Sequence, residues 1–244
     1  MTTKVLSIDL DYIMGPTIET YQHETQYDNP EFSWDWFYIE NPEQKNAYHW
    51  IDQSNLLYCH DIFLKSLKYN PDVSFGYDHD AILYAIHQCS DIELINVDHH
   101  DDVMHGAKFN GKYDLNLENF HIVNSDYVCE GNWGAWLHHK GRLKSFTWIH
   151  NNNSANLQRN EFNEDLLGDK YHSCSRNEYE FENYKFDYVY VCLSPLYIPP
   201  QQWHYFTMFM MTYKEFTGND INLLSQQRFE YNEVYNKVTD AILH

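Results

Sequence analysis

Residues 92–102 read Ile-Glu-Leu-Ile-Asn-Val-Asp-His-His-Asp-Asp. A short apolar run leads directly into five acidic and imidazole side chains. An apolar run of this length predicts a strand buried on both faces, as in the parallel sheet of an α/β protein. Working outward, the same pairing recurs twice. Residues 4–8 predict a buried strand that leads into Asp9-Leu10-Asp11, and Asp72–Phe75 predicts a short strand ahead of Asp78-His79-Asp80. Further strands are expected over 145–149 and 186–193. Helical spacing of apolar residues marks 43–69, 80–88, 133–140, the stretch from Pro199 or Pro200 to about Glu215, and about 224–243. Residues 16–42 read as a long irregular surface segment, and 150–185, poor in aliphatics, as an insertion or lid. Strands alternating with helices predict a single α/β domain over 1–244, with a largely parallel sheet flanked by helices in three layers.

The chain has 244 residues, 16 Lys plus Arg against 36 Asp plus Glu, and a formal net charge of −20. That charge excludes a nucleic-acid binder driven by phosphate neutralisation and suits cationic partners or metal ions. Aromatic residues make up 17% of the chain, which excludes a disordered protein. No apolar run is long enough to span a membrane, and the acidic N-terminal stretch does not read as a signal peptide. The five cysteines are irregularly spaced without a Cys-x-x-Cys pair, so reduced thiols in a cytoplasmic protein are expected. Cys192 reads as a buried strand thiol rather than a nucleophile.

The three acidic clusters each follow a predicted strand, at the carboxyl edge where parallel α/β sheets gather their ligands. If the chain stays extended, Asp98, His100 and Asp102 share one side, as do Asp9 and Asp11. Carboxylates converging there repel one another unless cations bind among them. The mixture of hard oxygen with imidazole favours Mn2+ over Zn2+, and two ions sharing carboxylates fit the number of ligands. Taken singly, each motif has a plainer reading: a solvated strand end for Asp9-Leu10-Asp11, an acidic turn for 98–102, and a helix cap for 78–80. Position at one sheet edge is what joins them.

These residues resemble a family. Asp98-x-His100-x-Asp102 is similar to the DxHxD motif of the arginase (ureohydrolase) superfamily, Ser7-x-Asp9-x-Asp11 to its SxDxD strand, and Asp78-His79 to its GGDH element. With Gly131-Asn132-Trp133, the phrasing lies nearest the UPF0489 group, which includes the peptide arginases that convert arginine to ornithine in ribosomally made peptides. The likeness covers residues 4–12, 76–137 and 186–203 by motif. It implies an arginase/deacetylase-like fold and two Mn2+ ions. One ion would be held by His79, Asp98, Asp102 and Asp9, and the other by His100, Asp98, Asp9 and Asp11. It also implies an arginine-containing precursor peptide as partner, with urea released. Two departures stand out. The SxDxD strand here precedes DxHxD, which a circular permutation explains. Where the family's arginases end a late strand in Glu-Val-Asn-Pro, this chain has Cys192-Leu193-Ser194-Pro195, without the carboxylate that grips a guanidinium.

Three further residues are candidates for catalysis. Glu130 is placed to accept hydrogen bonds from a guanidinium or to shuttle protons, or else complements a helix start. His105 and His121 are candidates for the acid that protonates the leaving amine, against a structural or surface role. His99, between two ligand candidates, is expected to point away from them and to be either buried or a support behind the ligands. The aromatic run Phe32–Tyr38 reads either as a wall for a cationic peptide or as ordinary packing. Two other functions fit the same residues. One is a metal-dependent amidohydrolase or deacetylase-like enzyme, and the other a metal-stabilised binding protein without turnover.

Overall fold

The computed structural model describes residues 2–15, 34, 37–39, 42, 51–103, 128, 131–152, 154 and 167–224. Among these residues seven parallel strands form one sheet: β1 (Thr3–Asp9), β2 (Asp72–Gly76), β3 (Ile92–Val97), β4 (Leu143–His150), β5 (Tyr171–Ser175), β6 (Tyr188–Cys192) and β7 (Leu223–Leu224). Their spatial order is β5-β4-β3-β1-β6-β2-β7. β1 lies at the centre and pairs with β3 on one side and β6 on the other, from Val5 opposite Leu94 and Tyr188 to Ile8 opposite Val97 and Val191. Its last five residues are buried, which is why the apolar runs at 4–8 and 92–97 show no alternation.

Helices cover both faces of this sheet, giving three layers. On one face lie α1 (Gln53–Leu67) and α4 (His204–Thr217), packed over Leu6, Ile8, Val97 and Val191. On the other lie α2 (Ile82–Ile86) and α3 (Trp133–His139), packed over Val5, Leu94, Phe146 and Tyr190. In α1 the buried Leu56, Cys59, Ile62, Phe63 and Leu67 recur at helical spacing. The helix runs from Gln53, and residues 43–50 of the stretch expected to be helical lie outside the described residues. Asp52 caps it, accepting from the Ser54 and Asn55 backbone N–H groups at 2.8 and 3.2 Å. Ile51 instead forms an antiparallel bridge with Met14. Among the described residues no helix is long and apolar enough to cross a membrane.

Three expectations need correction. The stretch 150–185 carries β5, which extends the sheet beyond β4. Its sequence, Tyr-His-Ser-Cys-Ser, is too polar to read as a strand, because only Tyr171 and Cys174 turn into the core. Leu224 belongs to β7 rather than to the start of a helix; residues 225–243 of that predicted helix lie outside the described residues. Within 16–42, Trp34, Phe37 and Tyr38 are helical and buried, and their rings pack on one another at centroid distances of 5.7–5.9 Å. For these three, the packing reading of the aromatic run holds. Trp34 also donates Nε1–H to the Pro195 carbonyl at 2.9 Å.

Candidate metal centre

The carboxyl ends of β1, β2, β3 and β6 meet at one point on the sheet edge, because β1 and β6 lie between β3 and β2. β1 ends in Asp9, β3 runs into Asp98, and β2 leads to His79 through Tyr77 and Asp78. Two groups of ligand-capable side chains result: Asp9, His79 and Asp98, and Asp11, Asp98 and His100. Within each group the donor atoms lie within 4.8 Å of one another. Asp98 belongs to both.

His79 is the hub. Its Nδ1 lies 3.1 Å from Asp9 Oδ2, 3.0 Å from Asp98 Oδ2 and 2.7 Å from Asp102 Oδ2. Its Nε2 pairs with Ser7 Oγ at 2.6 Å. One N–H satisfies one acceptor, so three carboxylate oxygens around a single ring nitrogen exceed what a hydrogen bond uses. The crowding is that of donor atoms arranged for a cation, and oxygen-rich donors with one imidazole suit a hard or borderline divalent ion. In the second group His100 Nδ1 stands 2.9 Å from Asp11 Oδ2.

The neighbours fix each carboxylate. Asp98 Oδ1 accepts from the His100 backbone N–H at 2.9 Å and its Oδ2 from Asn96 Nδ2 at 3.0 Å. Asp102 Oδ2 accepts from Trp133 Nε1 at 2.6 Å. Asp9 Oδ2 accepts from Ser194 Oγ at 2.5 Å, and Asp9 Oδ1 from the Asp11 backbone N–H at 3.1 Å. Asp11 Oδ1 accepts from the His99 backbone N–H at 3.2 Å, which ties the ends of β1 and β3 together. Two glycines allow close approaches behind the site. A Cβ at Gly76 would overlap the Tyr190 hydroxyl, which donates to the Asp78 carbonyl at 2.6 Å and sets the turn carrying His79. A Cβ at Gly134 would press on the Phe146 ring and the Asp102 carbonyl, to which the Gly134 N–H donates.

Burial dominates the electrostatics. Asp9, Asp11, His79, Asp98 and Asp102 are all 5% exposed or less. Burial and the charge of Asp11 push the Asp9 carboxyl up from its usual range. Burial and Asp98 push Asp11 up to about 6, and burial with Asp102 and Asp9 pushes Asp98 up to about 7. Burial opposes charge on the imidazoles too, but the surrounding carboxylates outweigh it. His79 is raised well above the usual histidine value, and His100 to about 10. A cation among these oxygens acts the other way, favouring ionised carboxylates and neutral imidazoles. The residues present therefore fit a divalent metal.

All six residues expected as ligands, Asp9, Asp11, His79, Asp98, His100 and Asp102, are brought together. The route differs from the one expected. β3 ends at Val97 and the chain turns through 98–102, with Asp102 in the left-handed region at φ 54°. Convergence comes from this turn, not from side chains alternating along an extended strand. Asp11 likewise sits in a 3₁₀ turn, Leu10–Ile13, that Asp9 caps. His99 is fully buried, and burial pushes its pKa down to about 3. Cys192 is a buried thiol that donates to the Tyr77 carbonyl at 3.3 Å. Glu130, His105 and His121 lie outside the described residues. Sequence reasoning missed Ser194 and Asn96 as supports. Asn96 had a signal, being a polar residue in an apolar strand two positions before Asp98; Ser194 had none.

A scan against protein-family models matches none, and comparison with curated proteins and with solved structures gives no significant match.

Proposed function

We propose that the protein is a binuclear-manganese hydrolase that converts arginine side chains, within a cationic precursor peptide, to ornithine with release of urea. The observation that carries this reading is the sharing of Asp98 between two ligand groups, Asp9/His79/Asp98 and Asp11/Asp98/His100, buried except at His100. Asp9, Asp98, Asp102 and His79 would hold one ion, and Asp9, Asp11, Asp98 and His100 the other. Two such ions would offset the charge of the carboxylates and supply a water of lowered pKa as the nucleophile for the cationic guanidinium carbon. The chain's own residues do the positioning. Ser7 on Nε2 of His79 fixes the ring so that Nδ1 faces the carboxylates, and Trp133 and Ser194 hold Asp102 and Asp9 in place. Burial keeps bulk water out, which strengthens each charge interaction at the reacting group. The net charge of −20 draws a cationic peptide toward the site.

Mass spectrometry of an arginine-containing peptide incubated with the Mn2+-loaded protein tests the reading. Hydrolysis removes about 42 Da per arginine and releases urea. A peptide that keeps its mass, with metal bound, speaks against it. One observation favours a second reading: β6 ends at Cys192 and runs into Leu193-Ser194-Pro195, a stretch without a carboxylate to pair with a guanidinium. Turnover of acetyl-lysine peptides, and not of arginine peptides, selects a deacetylase-like amidohydrolase.

A further inference from the structure

The cluster is sealed on nearly every side. Asp9, Asp11, His79, Asp98 and Asp102 are at most 5% exposed, whereas the His100 side chain is 19% exposed. Among the described residues, contact between solvent and the cluster therefore runs along the edge of His100. Besides the buried His99, Tyr197 lies against the His100 ring; it is half-buried, with centroids 5.1 Å apart and planes inclined at 51°.

Tyr197 is held where it is. Ser194, just past β6, sits in the left-handed region at φ 49°, a conformation that non-glycine residues keep only when neighbours over-determine it. Three bonds do so. The Ser194 N–H donates to the Tyr77 carbonyl at 3.0 Å, its Oγ donates to Asp9 Oδ2 at 2.5 Å, and its carbonyl accepts from the Tyr197 and Ile198 N–H groups at 2.9 and 3.1 Å. Trp34 clamps the Pro195 carbonyl from the other side. The turn that presents the Tyr197 ring is thus anchored on a carboxylate of the cluster itself.

We infer that Tyr197 is a substrate-recognition residue, whose ring face receives the planar cationic end of the side chain as it passes His100. The inference rests on the proposed arginine-peptide reading and supplies a recognition element for it. A phenol ring carries negative potential on its face, and a guanidinium stacks there without losing its remaining hydrogen bonds to water or to carboxylates. The ring discriminates by charge and planarity rather than by ion pairing. It would therefore accept an arginine side chain and disfavour citrulline, its neutral isostere.

Equilibrium binding of one arginine peptide and its citrulline counterpart to the Mn2+-loaded protein tests this, with Mn2+ affinity measured in parallel and products read by mass spectrometry. The wild-type protein should bind the arginine peptide more tightly. Tyr197→Leu should weaken arginine-peptide binding about 5- to 30-fold, leave the citrulline peptide nearly unchanged and keep Mn2+ affinity. Tyr197→Phe, which retains the ring, should bind arginine within about 3-fold of wild type. Unchanged arginine binding in Tyr197→Leu overturns the inference. So does equal wild-type binding of the two peptides. A parallel fall in Mn2+ affinity also overturns it, since the ring would then only support His100. If Tyr197 confers the arginine preference but no ornithine forms, the inference stands and the hydrolase reading fails.

Discussion

The two ends of β1 and β3 treat charge in opposite ways. At the amino edge, Lys4 on β1 faces Glu93 on β3 at 3.9 Å, and Lys144 on β4 reaches the same carboxylate at 2.7 Å. These side chains are 31–51% exposed, opposite in sign and open to water. At the carboxyl edge of the same strands, Asp9, Asp11, Asp98 and Asp102 are buried together, with two imidazoles for company. Exposed ion pairs contribute little to stability, and evolution can place or lose them freely. Buried like charges are costly, since each must be desolvated against its neighbours' repulsion. A fold that places them at the centre of its sheet edge gives up stability in the free protein. A cluster of such strongly perturbed groups is a candidate functional site.

The largest effect that tests this contrast is expected at Asp98, the residue common to both ligand groups. Asp98→Asn keeps the shape but removes the charge that both ions would share. Calorimetric titration should show Mn2+ affinity falling by more than about 100-fold at both sites, with activity lost. Near-wild-type binding would mean that the cluster is not a metal centre. Asp9→Ala should behave in the same way.

Next in size is the contrast between adjacent histidines. His100 Nδ1 faces Asp11, while His99 is fully buried and neutral beside it. His100→Ala should weaken Mn2+ at least about 30-fold, and His99→Ala less than about 10-fold, the latter acting mainly through a cavity that lowers the melting temperature. The reverse order in the titrations would place His99 in the site.

Metal removal should produce a smaller and pH-dependent effect. Saturating Mn2+ should raise the melting temperature by about 5–10 °C over the chelated protein at pH 8. The sign with pH follows from the shifted groups. Asp11 and Asp98 hold protons in the folded state up to about 6 and 7, above the unfolded carboxylate value, and His100 up to about 10. The metal-free fold therefore binds more protons than the unfolded chain, and its stability falls as pH rises from about 4 toward 10. Metal must displace those protons, so its stabilisation should grow from pH 5.5 to 8 in paired melting curves. A pH-independent difference would mean that these carboxylates do not take up metal.

The runs at 4–8 and 92–97 were legible because strands buried on both faces leave unbroken apolar sequence. The three acidic motifs were legible because each directly follows such a run. β5 was not: an edge strand buries only Tyr171 and Cys174, and its remaining residues look like a loop. The turn at 98–102 was not either. A left-handed Asp102 leaves no mark in sequence when an aspartate tolerates that conformation. Ser194 was hidden for a related reason. It lies 185 residues from Asp9, and only the pairing of β6 beside β1 brings its hydroxyl to the carboxylate.

The smallest expected effect is at the amino edge, and it calibrates the others. Glu93→Gln removes the carboxylate shared by Lys4 and Lys144 but keeps the shape of the side chain. Water already solvates all three groups, so stability should change by about 0–1 kcal/mol, and less at high salt, in denaturant titrations at two ionic strengths. Mn2+ affinity should be unchanged, because the substitution lies at the opposite end of the strands from Asp98. If Glu93→Gln lowered Mn2+ affinity as much as Asp98→Asn, charge would matter equally at both ends of the sheet. The buried cluster would then lose its claim to be a place where the fold gives up stability for binding. A null result at Glu93 beside a large loss of Mn2+ affinity at Asp98 would assign metal binding to the buried carboxyl edge and not to the charge that the strands carry elsewhere.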